Sequence, residues 1–488
     1  MRFSTRTVVV LVAGVAGAAC SAILELEPPP TPDVEMDAGT GSEAGGFDAG
    51  VTPPVCVALD AGDGGSSYAP LDADAGGSWA FFDTTTIATR VGQFAGGAFD
   101  GRYVYFAPSS NGVVARVDTG VSFTESASWS IFDVSTLPSD AGGPRSFSGA
   151  VFDGRYVYFV PHSPLAATGN LVARFDSTST ADFTSAASWS TFDMSSLSAD
   201  GGPSTKGFAG AASDGHYVYF VPYMDDGGSD GRVVRFDSTA VDAGTKDGSG
   251  PADAAAPSPF AIPSLWSSFD IATTDDAATG FMGAVFDGTS VFFVPYRNGG
   301  PVNGGLSSVL ARLRPDAGFS ASASWTSLDM TTINGEAVGF AGAAFDGRYV
   351  YLAPHVRGVA LRFDTQNSKN DSPSAWLAYD IGRVALEAGA NLSFYGAAFD
   401  GRFIYYVPSA TGFGTVVRYD TLATFNADCA WSTVDLTEVN ANANDYLGAV
   451  FDGEFLYLVP HANGVVARFD SKRPASMPAL PAFHGSFY

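Results

Sequence analysis

The sequence predicts an all-β fold, a seven-bladed propeller of four-stranded antiparallel blades. Three observations carry that expectation. An Asp-Gly pair recurs at Asp100, Asp153, Asp214, Asp287, Asp346, Asp400 and Asp452. A proline follows each pair at 108, 161, 222, 295, 354, 408 and 460. All seven tryptophans, at 79, 129, 189, 266, 325, 376 and 431, have Asp four residues on. Repetition at a fixed long period is the signature of a blade array.

Each unit reads as four strands. The first, as in Phe340-Ala341-Gly342-Ala343-Ala344-Phe345, is short and built of Gly and Ala between aromatics. Asp346-Gly347 supplies a tight hairpin turn. The second strand, Arg348 to Ala353, is β-branched and aromatic and stops at Pro354, which cannot donate to a ladder. The third is Val359 to Asp364, and a polar loop leads to the fourth, Trp376 to Asp380. Gly and Ala suit the crowded axis, and Trp suits the wide rim. Trp79 precedes the first unit, whereas no tryptophan follows the seventh. The strand at Trp79 must therefore complete the last blade and close the ring.

The rest of the chain divides around residues 76–473, the expected propeller. Residues 1–20 carry Arg2 and Arg6, then an apolar stretch from Val8 to Val15, then small residues up to Cys20, the layout of an export signal. Val15-Ala16-Gly17-Ala18-Ala19-Cys20 resembles a bacterial lipobox, with Gly17 where that pattern usually has Leu. Lipidation of Cys20, followed by Ser21, implies an outer-membrane lipoprotein. Ordinary cleavage near Ala18 or Ala19 implies a secreted or periplasmic protein. Residues 21–75 are a Pro, Gly, Ala and Asp linker expected to be disordered, and 474–488 form a C-terminal tail. Cys56 falls ahead of the outer strand of blade seven and Cys429 ahead of that of blade six. A disulfide between them is expected in an oxidising compartment.

A formal charge of −26 argues against nucleic acid as a partner. The same charge favours cations such as Ca2+, but the Asp-Gly clusters of the linker lack a full calcium-loop pattern. No cofactor is expected. The chain is expected to be a monomer that meets a membrane only through a lipid on Cys20.

Asp452-Gly453-Glu454-Phe455-Leu456-Tyr457-Leu458-Val459, continued by Val465-Val466-Ala467-Arg468-Phe469-Asp470, resembles the YVTN-type surface β-propeller repeat. The resemblance covers about half of each unit. It departs where Pro with Ser, His or Tyr replaces Thr-Asn. It implies a cell-surface or periplasmic propeller, often a binding or scaffold module; related propellers include lactonases and lyases.

Two recurrent positions bear on function. Arginine stands in every third strand, at 116, 174, 235, 312, 362, 418 and 468, and is expected to be structural, pairing with an Asp of its own or a neighbouring blade. The residue after the strand-ending proline varies: Ser109, His162, Tyr223, Tyr296, His355, Ser409 and His461. These positions share a face with the blade-to-blade connections, a common ligand face. Second strands lie away from the axis, so the three imidazoles are not expected to converge on one metal. The ligand-binding candidates are His162, Tyr223, Asp225, Asp226, Tyr296, Arg297, His355 and His461; no metal is assigned. Polar strand ends and plain solvent loops would have the same composition. No motif for nucleophilic, zinc or phosphate chemistry is present. The expected function is therefore a binding or scaffold module for a glycan or protein, with an enzyme of the lactonase, lyase or hydrolase kind at the central funnel as the alternative.

Overall fold

The computed structural model describes residues 71, 78–138, 143, 145–162, 170–197, 205–225, 227–241, 259–300, 302–367, 372–385 and 392–471. The segment expected to be an export signal, with Cys20, most of the expected linker, with Cys56, the insertion around 242–258, Asp226 and the tail lie outside them. No helix among the described residues is long and apolar enough to cross a membrane.

Seven four-stranded antiparallel sheets form blades I to VII, and in blades I to VI the strands run in chain order from first to fourth. Blade I comprises Phe94–Phe99, Tyr103–Pro108, Val113–Asp118 and Trp129–Asp133. Blade VII takes three strands from Tyr446–Phe451, Phe455–Pro460 and Val465–Asp470. Its fourth is Trp79–Asp83, with Trp79 opposite Phe469 and Asp83 opposite Val465. The ring closes as the displaced tryptophan requires.

Each Asp-Gly turn is locked by its own carboxylate. Asp100 accepts from the amides of Arg102 at 2.8 Å and Tyr103 at 2.7 Å, and from the Tyr105 hydroxyl at 2.6 Å. The same tyrosine contact recurs in five further blades, through Tyr158, Tyr219, Tyr351, Tyr405 and Tyr457. In blade IV the position is Phe292, and Asp287 keeps only local partners in its turn.

Every first strand carries a register shift against its second strand, between Phe94 and Gly97 in blade I. The residue in the bulge is glycine, Gly96 at φ 75° and Gly342 at φ 83°, a conformation a side chain disfavours. The glycines of the first strand thus serve the bulge as well as the crowded axis.

The core lies between blades. The aromatic residue three positions after a tryptophan stacks on the tryptophan of the next blade: Phe82 on Trp129, Phe132 on Trp189, Phe192 on Trp266, Phe269 on Trp325 and Tyr379 on Trp431, with centroids 4.2–5.1 Å apart. Five of the indoles also donate to the carbonyl of a phenylalanine six residues upstream, as Trp129 does to Phe123 at 3.0 Å.

The third-strand arginines, expected to pair with Asp, lie against aromatic rings. Arg116 lies between Tyr103 of its own blade, 3.9 Å from the ring centre, and Phe183 of the next, at 4.2 Å. Arg174 sits likewise between Tyr156 and Phe260, and Arg235 between Tyr217 and Phe319. The weakly hydrated planar guanidinium suits such a slot. Contact with the turn carboxylate runs through the tyrosine hydroxyl, which in blade I receives Arg116 at 3.5 Å. The aspartate that ends the third strand is instead paired by the arginine after the Asp-Gly turn: Arg102 with Asp118, Arg155 with Asp176, Arg348 with Asp364 and Arg402 with Asp420, at 2.7–3.1 Å.

Candidate functional site

The residue after each strand-ending proline extends the ladder between first and second strands by one step. Its amide donates to the carbonyl of the residue just ahead of the first strand: Ser109 to Gln93, His162 to Ser146, Tyr223 to Gly207, Tyr296 to Gly280, His355 to Gly339, Ser409 to Ser393 and His461 to Asp445. These side chains therefore start beside the inner strands, closer to the axis than the second strand's place in the blade implied.

That placement brings several of them together. His162 stacks with Tyr223 (6.3 Å between centroids), Tyr223 meets Tyr296 (5.9 Å), Tyr296 meets His355 (5.3 Å), and His355 meets Tyr395 of blade VI (5.8 Å). A continuous aromatic arc thus crosses blades II to VI. Tyr395, in the first strand of blade VI, had no counterpart in the sequence reading, because that position is Ala, Ser, Met or Leu elsewhere. His461 stands apart, with Nδ1 3.3 Å from the Asp445 carboxylate. Among the described residues no three His, Cys, Asp or Glu side chains gather as a metal site.

Two histidines latch neighbouring blades. His162 Nδ1 is 2.9 Å from the Phe208 carbonyl, and His355 Nδ1 is 3.3 Å from that of Phe394. A carbonyl only accepts, so Nδ1 carries the proton and Nε2 is left as an acceptor. Nε2 of His162 is buried without a partner. Burial lowers the affinity of both rings for a second proton, to a pKa of about 4 for His355, where the Arg297 charge acts in the same direction. The Ser393 and Ser409 hydroxyls lie 3.1 and 3.4 Å from His355 Nδ1 and 2.8 Å from each other.

The sevenfold pattern breaks most visibly between blades III and IV. In blade III the connection from second to third strand forms a small hairpin, Met224–Asp225 against Gly228–Ser229, closed at its base by the Asp230 amide on the Tyr223 carbonyl. In blade IV, Arg297 bridges Leu306, and the Ser307 amide returns to the Tyr296 carbonyl at 2.8 Å. The Ser229 hydroxyl donates to the Arg297 carbonyl at 3.1 Å and ties the two loops together. Between them lies a cleft of about 280 Å³, with Tyr223, Met224 and Ser229 on one side and Arg297, Gly299 and Gly305 on the other.

Tyr223, which lines the cleft, and Tyr296, which lies behind it, are both buried, and burial raises both phenol pKa values. Asp225 turns back to accept from the Gly227 amide at 2.7 Å. Asp230 is 9 % exposed, and its Oδ2 has no partner. Burial pushes its pKa up to about 6, with the charges of Asp225 and Asp270 adding to the effect. Four candidates, Tyr223, Asp225, Tyr296 and Arg297, thus belong to the two loops, His162 and His355 flank them on the arc, and Asp226 lies outside the described residues.

A larger concavity, about 620 Å³, opens between blades VII and I, lined by Asp452, Glu454, Phe455, Asp470, Gly101 and Thr119. It is made of the repeated Asp-Gly turns, with Glu454 where four blades carry the ion-pairing arginine. Cys429, in the turn Asp428–Ala430 ahead of Trp431, is in disulfide form; the partner expected for it, Cys56, lies outside the described residues.

The fold and this asymmetric loop face define a seven-bladed β-propeller. No family model and no curated protein matches the sequence. Solved structures resemble it at low identity. A virginiamycin B lyase from Staphylococcus aureus is 12% identical, with TM-score 0.49 over 80% of this chain and 98% of that one. The extracellular domain of a hybrid two component system from B. thetaiotaomicron is 11% identical, with TM-score 0.50, over 83% of this chain and 44% of that one. YCF48 from Cyanidioschyzon merolae is 12% identical, with TM-score 0.43, over 80% and 99%. The likeness to the extracellular domain carries the propeller fold and nothing finer.

Proposed function

We propose that the chain is an exported surface or periplasmic binding module, kin to the YVTN-type repeat propellers, whose ligand is a glycan seated at the cleft between blades III and IV. The observation behind this reading is the break in the repeat: two unequal loops, tied by Ser229 and Arg297, enclose a cleft beside an arc of aromatic rings. A tyrosine wall, Tyr223, with convergent polar groups suits sugars, whose faces are apolar and whose rims are hydroxyls. Lipidation at Cys20 and a Cys56–Cys429 disulfide belong to the same proposal; a cofactor does not.

Calorimetric titration of the full chain with a glycan panel tests it. Saturable binding, weakened at least about tenfold by Tyr223→Ala, is the expected outcome. Absence of binding to every saccharide overturns the glycan reading. A hydrolase is the second reading: Ser393 and Ser409 approach His355 Nδ1, which would activate a hydroxyl only in the tautomer protonated at Nε2, with the Phe394 contact given up. Ester hydrolysis abolished by His355→Gln and by Ser393→Ala would establish it instead.

A further inference from the structure

Arg297 is unusual among the arginines of this chain. The sequence holds 51 acidic side chains against 25 Lys and Arg, so a carboxylate partner is easily found. The arginines after the Asp-Gly turns are ion-paired, and several of the third-strand arginines are sandwiched between rings. Arg297 is exposed and has no side-chain partner among the described residues.

Its backbone, by contrast, is fixed. The Arg297 amide donates to the Gly280 carbonyl at 3.0 Å, and its own carbonyl accepts from Ser229. A Cβ on Gly280 would fall 1.6 Å from the Arg297 carbonyl oxygen, so the close approach depends on glycine there. A pinned main chain thus presents a free guanidinium at the rim of the cleft. Its charge is felt by Tyr223, Tyr296 and His355. The wall on its own side is glycine, which leaves backbone within reach of a ligand.

We infer that the cleft selects an anionic saccharide, and that Arg297 takes the carboxylate of a sugar acid while Tyr223 and Ser229 meet the ring beside it. The inference rests on the glycan reading above. A planar fork matches a carboxylate bidentately, which a neutral hydroxyl cannot reproduce.

The test is titration of the full chain with oligosaccharides of hexuronic acids and of sialic acid, each set against an uncharged counterpart of equal length and a sulfated one. The expected result is roughly tenfold or greater preference for the carboxylate form, weakening as salt rises. Arg297→Gln should abolish the preference, and Arg297→Lys should restore part of it. Equal binding of charged and neutral sugars, or a preference that survives Arg297→Gln, overturns the inference and leaves the glycan reading standing. Stronger binding of the sulfated form overturns the carboxylate assignment. Failure of all saccharides overturns both readings. A thermal melt of Arg297→Gln matching the parent guards against a folding artefact.

Discussion

At the scale of single residues, the site is held together by groups whose charge the fold resists. His355 is buried and neutral, with its second proton bound only near pH 4 in the folded chain. The unfolded chain takes that proton near 6.5. Stability from this group is therefore complete above pH 6.5 and is lost as pH falls toward 4, by at most about 3 kcal/mol. Urea unfolding at pH 7 and pH 4.5 should show His355→Gln less acid-sensitive than the parent. Asp230 runs the other way. Its folded pKa of about 6 lies above the unfolded value, so folding is favoured in acid and penalised as pH rises from about 4 to 6. Asp230→Asn should raise stability at pH 7 by about 2 kcal/mol and change little at pH 4. Sugar binding of the same variant, measured at pH 7, would show what the penalised carboxylate contributes to the cleft.

At the scale of elements, the tryptophan strand was legible in the sequence and its partners were not. The indole is visible because it recurs without exception. The ring that stacks on it belongs to the preceding blade, and an aromatic there gives way to Leu328 facing Trp376. Trp431→Ala, which removes a stack at 4.4 Å on Tyr379 and a hydrogen bond to Phe425, should cost about 4 kcal/mol in chemical denaturation. A double-mutant cycle with Tyr379→Leu should return about 1 kcal/mol of coupling, and the same cycle on Trp376 and Leu328 less. The third-strand arginines show why reading one blade misleads. Their ring partners come from two blades, so a search within one repeat finds at most half of the slot. The aromatic arc escaped for a similar reason. Positions that vary from repeat to repeat carry no signal of mutual contact, and only the ladder step that brings His162, Tyr223, Tyr296 and His355 beside the inner strands lines them up.

At the scale of the whole molecule, blade count, strand order and ring closure followed from the repeat, because each unit must bury its faces against two neighbours. Where the chain leaves the repeat, between blades III and IV, the sequence marked the residues but not their union across the cleft. Ring closure predicts that a chain lacking residues 1–83 leaves the Val465–Asp470 strand as a bare edge and aggregates in gel filtration, whereas one lacking residues 1–70 stays monodisperse. Cys429→Ser should lower the melting temperature of the oxidised chain and leave that of the reduced chain unchanged, a contrast read in one calorimetric experiment with and without reductant.

The pairing of Trp79 with Phe469 also sets an order of events in time. The strand that finishes the ring is made first, and its partner emerges almost four hundred residues later. Until translation reaches that partner the early strand has nowhere to dock, and the last loop to close is the longest and slowest. A chain that leaves the cell unfolded benefits from this delay. The ring cannot close before its far end has been synthesised.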